Sequence, residues 1–153
     1  MPTTPAPGHF ERQHERLDAL LLAHLLDVAG ADFVSALQHL QQWHRSLQAH
    51  IAIENSRLLP HVPEGARWAA RVYLLEHERI ALLAEEYIAR VQAVARQAPP
   101  DETARRRAVL MLLDAAHALR HVLEHHHERV HTALAHELPE DVQEAAWRGV
   151  EGS

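Results

Sequence analysis

Hydrophobic residues recur along this chain in steps of three and four, never in sustained alternation, which predicts helices and no sheet. The first stripe is Phe10, His14, Leu17, Leu21, then His24 or Leu25, and Val28. Gly30 is placed to end that helix and Asp32 to cap the next. A second stripe follows through Phe33, Leu37, Leu40, Leu47, His50, Glu54 and Leu58, and Pro60 stops it. Residues 61–65 make a tight connection to a third stripe: Trp68, Val72, Tyr73, His77, Ile80, Ala84, Ile88 and Val91. Pro99-Pro100 closes that helix, and Asp101 with Thr103 offers caps for a fourth. Its stripe is Leu112, Ala116, Leu119, Leu123, His126, Val130 and Leu134, ending before Pro139. One broad apolar side per helix and short connections predict an all-α fold, an up-down-up-down antiparallel four-helix bundle over residues 9–138. Residues 139–153 form an extension with a short helix that docks Val142 and Trp147. Residues 1–8 and 149–153 are expected to be disordered tails.

Composition narrows the chemistry. A chain of 153 residues with 47% hydrophobic content reads as one domain with a continuous core. Having no cysteine, it has no disulfide, thiolate metal site or cysteine nucleophile. A net charge of −6 leaves no footprint for nucleic acid. The one basic run, Arg105-Arg106-Arg107, reads as a solvated helix face. The N-terminal residues lack a charged start followed by an apolar stretch, so no secretory signal is read there. The apolar run Leu20–Leu26 is broken by His24 and is far too short to span a membrane. Cytoplasm is the expected compartment.

The informative chemistry is the placement of histidine. His14, His50, His77 and His126 each fall on the apolar stripe of a different helix, joined by Glu54. In an antiparallel bundle, the start of helix one, the end of helix two, the first half of helix three and the C-terminal half of helix four share one end. All five residues therefore reach one level of the core. The His50-x-x-x-Glu54 spacing brings a nitrogen and an anionic oxygen onto one face, about one turn apart. A carboxylate on an apolar stripe is costly unless paired or bound to a cation. His14, His50, Glu54, His77 and His126 are therefore the predicted metal ligands. A lone inward histidine such as His24 or His44 reads as a hydrogen-bonded core residue. His117, His121 and His125, and the pair His127 and His131, read as solvated flanks that can hold Zn²⁺ or Ni²⁺ opportunistically. Tyr73, one turn before His77, reads as core with its hydroxyl satisfied.

These segments resemble the hemerythrin-like, HHE cation-binding proteins. The similarity lies in Gln13-His14-Glu-Arg-Leu-Asp-Ala-Leu20, Leu47-Gln-Ala-His50-Ile-Ala-Ile-Glu54-Asn-Ser-Arg-Leu-Leu-Pro60, Glu76-His77-Glu-Arg-Ile80 and Val122-Leu-Glu-His-His126-His-Glu-Arg129. The resemblance implies a four-helix bundle holding non-heme iron, often two bridged irons, with a position open to oxygen or a similar small ligand. It implies the same five ligands. Two departures stand out. The second histidine of the third-helix motif is Ala81 here. The carboxylate usually found four residues after the fourth-helix histidine is Val130, followed by His131. The loss at Val130 predicts a weakened second metal position, unless His127 or His131 fills it.

His and carboxylate ligands suit iron, manganese or zinc. The resulting expectation is a metal-binding protein that binds or senses O₂, NO or a similar small ligand. The competing readings are an iron-dependent enzyme that reduces peroxide or oxygen in stress protection, and a metal buffer.

Overall fold

The computed structural model describes residues 8–150. It is all-helical, with no strand among the described residues. Four long helices carry the fold: α1 (His9–Ala29), α2 (Phe33–Ile53), α3 (Ala70–Arg96) and α4 (Glu102–Arg129). Two short ones follow, α5 (Ala135–Glu137) and α6 (Glu140–Trp147). The turn from α1 to α2 is tight. Gly30 ends α1, Ala31 takes the left-handed conformation at φ 57°, and the Asp32 side chain accepts from the Ser35 N–H. Asp101 caps α4 in the same way, accepting from Ala104 N–H at 2.8 Å.

Neither α2 nor α4 ends as a plain α-helix. Each runs into a π-helical turn, Glu54–Leu58 after α2 and Val130–Leu134 after α4. Hydrophobic periodicity gave no hint of either. Trp68 precedes α3 rather than lying within it, and Arg129 stacks over its ring at 4.2 Å. Trp43 and Tyr87 are buried although the predicted stripes omitted them, while Leu37, Val72 and Ile88 are only half-buried.

Two apolar clusters form the core. The larger contains Leu17, Leu21, Leu40, Leu47, Ile80, Tyr87, Leu112 and Leu123 among others. The smaller contains Phe10, Leu58, Leu59, Tyr73, Val130, Leu134, Leu138, Ala146 and Trp147. Along each long helix the predicted ligands separate the two. His14 lies between Phe10 and Leu17, and His50 with Glu54 between Leu47 and Leu58. His77 lies between Tyr73 and Ile80, and His126 between Leu123 and Val130. A polar layer is thus enclosed between two apolar ones.

At the chain ends, Gly8 precedes α1 and its carbonyl accepts from Arg12 N–H at 3.1 Å, so it belongs to the fold rather than to a tail. Val150 packs on the smaller cluster, so the expected C-terminal tail does not begin at 149. The expectation of disorder at 1–7 and 151–153 lies outside the described residues. No described helix is long and apolar enough to cross a membrane.

Candidate metal centre

All five predicted ligands are buried, at 5% exposure or less. They form two triads, His14–His50–Glu54 and Glu54–His77–His126, with one potential ligand atom from each residue within 4.8 Å of the others. Glu54, fully buried, belongs to both. Its Oε1 lies 2.5 Å from His50 Nε2, and its Oε2 lies 2.8 Å from His77 Nε2 and 3.7 Å from His126 Nε2. The two rings on that side approach each other, His77 Nε2 to His126 Nε2, at 3.2 Å. One carboxylate thus presents a different oxygen to each triad.

What aims the rings is the contact each makes through its other nitrogen. His77 Nδ1 lies 2.6 Å from Asn55 Oδ1, an acceptor. His126 Nδ1 lies 3.2 Å from Glu76 Oε1, and Arg129 Nε donates to Glu76 Oε2 at 3.1 Å. His14 Nδ1 lies 2.7 Å from His131 Nε2. Outer partners of this kind fix the tautomer and orientation of a metal-ligating imidazole. His50 is held differently, with its ring stacked on Trp147 at 5.0 Å and its Nδ1 unpartnered among the described residues.

The anionic Glu54 and neutral His14 suit a cation site, and His126 would release its proton on binding one. Burial works against ionising Glu54, but the neighbouring His50 and the hydrogen bonds from His126, His50 and His77 outweigh it and hold its pKa well below the usual carboxylate range. Burial lowers His126, yet hydrogen bonds to Glu54 and Glu76 prevail and raise it to about 9. His14 is pushed far down, by burial first and then by His127 and His50, so its ring stays neutral. Its Nε2 is buried with no hydrogen-bond partner among the described residues. A buried lone pair left unmade is costly. A cation between the triads would accept that lone pair, separate the facing nitrogens of His77 and His126, and neutralise Glu54. The donor set of imidazole and carboxylate suits iron, manganese or zinc and does not select among them.

The surroundings of the centre correct three expectations, two on the fourth helix and its π turn and one on α3. Val130 is fully buried in the smaller apolar cluster and does not face the triads. The π turn that starts there takes one residue more than an α turn. Val130 itself still hydrogen-bonds back to His126 in the α register, and it is the next residue, His131, that meets the centre, its Nε2 2.7 Å from His14 Nδ1. The pair His127 and His131 is likewise no solvated flank. Both are half-buried, and His127 stacks on His14 with centroids 3.8 Å apart and planes 14° from parallel. Burial, then the neighbouring His126, lowers the His127 pKa to about 3. Third, the Tyr73 hydroxyl, expected to be satisfied, has no partner among the described residues, and burial with the nearby Glu137 raises it to about 12.

Sequence reasoning missed Asn55, Glu76 and Trp147 as supports of the centre. Asn55 and Glu76 each sit beside a predicted ligand in sequence, which was the available signal. Trp147 was expected to dock on the bundle, and its helix does bury it, but no spacing tied it to His50, which lies far away along the chain. Comparison with known proteins finds no matching family model, no matching curated protein and no matching solved structure.

Proposed function

We propose that this chain is a hemerythrin-like protein whose four long helices form an up-down-up-down antiparallel bundle around non-heme iron. Alternation of the two apolar clusters supports that topology. Passing along the chain, α1 goes from the smaller to the larger, α2 returns, α3 repeats α1, and α4 repeats α2. The observation that carries the functional reading is Glu54, fully buried with one oxygen directed to each triad. In this reading His14, His50, Glu54, His77 and His126 hold one iron or a pair, with Glu54 as the bridge.

Ferrous iron, when bound, supplies an open coordination position for O₂, NO or a peroxide. The chain's own residues hold the ring nitrogens at that point, and the cluster around Phe10, Tyr73 and Trp147 keeps bulk water away. Ala81, where a further histidine would stand in oxygen-carrying members, leaves α3 with one imidazole and the site with room for an exogenous ligand. Binding or sensing a small ligand is the proposed role.

The test is metal analysis of untagged protein, with an optical spectrum before and after exposure to air. One to two irons per chain and a spectrum that changes with O₂ are expected. His50→Ala should lower the metal content sharply while preserving helicity. Full metal retention in that variant defeats the assignment, and iron-free protein defeats the iron reading.

A further inference from the structure

The outer face of α4 carries a separate series of histidines. His117, His121 and His125 follow at steps of four, which lines them up along one side of the helix. All three are exposed, unlike the five residues of the centre. His121 and His125 rings lie 4.5 Å apart, edge to face, and His117 and His121 lie 6.5 Å apart. Among the described residues, none of the three has a hydrogen-bond or ion-pair partner. Their nitrogens are uncommitted and their side chains are free to turn.

We propose that His121 and His125 form a second, surface metal site for a borderline divalent cation of the Zn²⁺, Ni²⁺ or Cu²⁺ type. Histidines one turn apart on a helix have Cβ atoms about 5–6 Å apart. Two imidazoles at that spacing can place nitrogens at about 2.0–2.1 Å from one ion without distorting the backbone. Water completes the shell. Two imidazoles favour the later first-row cations over the oxygen-seeking Mg²⁺ and Ca²⁺. His117 lies two turns from His125, too far to share its ion. The surface site has no residue in common with the Glu54 centre and does not depend on what that centre holds.

Calorimetric titration with Zn²⁺ tests this on the whole chain. The unaltered protein should show a step assigned to the surface pair, distinct from uptake by the centre. His121→Ala/His125→Ala should weaken that step at least tenfold, and His50→Ala should leave it in place. His117→Ala should change it far less than the double variant. Retention of the untagged protein on a Ni²⁺ resin should fall in parallel. The proposal is overturned if the double variant, with helicity unchanged, keeps the step and its resin retention, or if the step vanishes with His50→Ala. Should the double variant lose helicity, His121→Asn and His125→Asn tested singly give the same reading, because each removes one of two required donors.

Discussion

Two buried histidine sites sit at different levels of the same fold, and they are built on opposite terms. At one, His24 is fully buried in the larger cluster with both nitrogens matched: Nδ1–H donates to the Ala36 carbonyl at 2.7 Å, and Nε2 accepts from the Tyr87 hydroxyl at 2.6 Å. At the other, four imidazoles crowd about one carboxylate. His77 and His126 bring their Nε2 atoms within 3.2 Å of each other, and His14 Nε2 has no partner. Burial alone does not separate a structural histidine from a candidate ligand. The second nitrogen does. At His24 it has a partner of its own, whereas at the centre the inward nitrogens of His50 and His77 converge on one shared anion, and that convergence calls for a cation.

Breaking the centre should produce the largest effect. Glu54→Gln keeps the shape and removes the charge that serves both triads, so metal content should fall at both positions together. Metal analysis of the variant checks this. Loss of no more than half the metal would mean that the triads do not depend on a shared carboxylate.

Removing metal from the unaltered protein should come next. An ion held by four helices binds the folded chain preferentially, and at 100 times its dissociation constant contributes about 2.7 kcal/mol. For a chain of this size that corresponds to a fall in melting temperature of about 5–10 °C on chelation. The same chelation applied to His24→Leu should give a shift of similar size, because that histidine lies outside the centre. A melting curve indifferent to verified metal removal would break the comparison.

The His24 site itself should be a matter of stability alone. His24→Leu leaves the Tyr87 hydroxyl buried without its acceptor, a cost of about 1–3 kcal/mol, with metal content unchanged. Its pH dependence has a defined sign. Burial lowers the His24 pKa from 6.5. Below that value the unfolded chain takes up a proton that the folded ring refuses. The contribution of His24 is therefore whole above about pH 6.5 and is lost as pH falls. Denaturant melts of both proteins between pH 7 and pH 5 should show a shallower acid loss in His24→Leu, by up to about 1.4 kcal/mol per pH unit. Equal slopes would show that His24 is not held neutral.

The smallest effect is expected at His131. His131→Ala removes the partner of His14 Nδ1, and loss of such an outer contact weakens metal binding about 10–100-fold, here at the His14 triad only. Competition with a chelator of known affinity measures it. Val130→Glu, by contrast, places a carboxylate in the smaller apolar cluster. It should lower the melting temperature without raising metal content. A gain of metal in that variant would mean that residue 130 faces the centre after all.

What the sequence determined here is periodic. Steps of three and four fixed the four long helices and their buried faces, and proline, glycine and aspartate marked most of their ends. Those faces carried His14, His50, Glu54, His77 and His126, and counting turns from each helix end placed all five at one level. Tertiary structure decided what periodicity does not encode. It set which oxygen of Glu54 meets which ring, which nitrogen of each ring turns inward, and that Trp147 stacks on His50 from a helix far along the chain. It also decided between Val130 and His131. A pattern of three and four assumes an unbroken α-helix, and the π turn after Arg129 adds a residue to the turn. Val130 still keeps the α register to His126, so it is the packing of the neighbouring helices that encloses valine in the apolar cluster and sets His131 against His14. Side-chain nitrogens are likewise aimed by neighbours such as Asn55, Glu76 and His131, which folding brings into contact and no local spacing reveals.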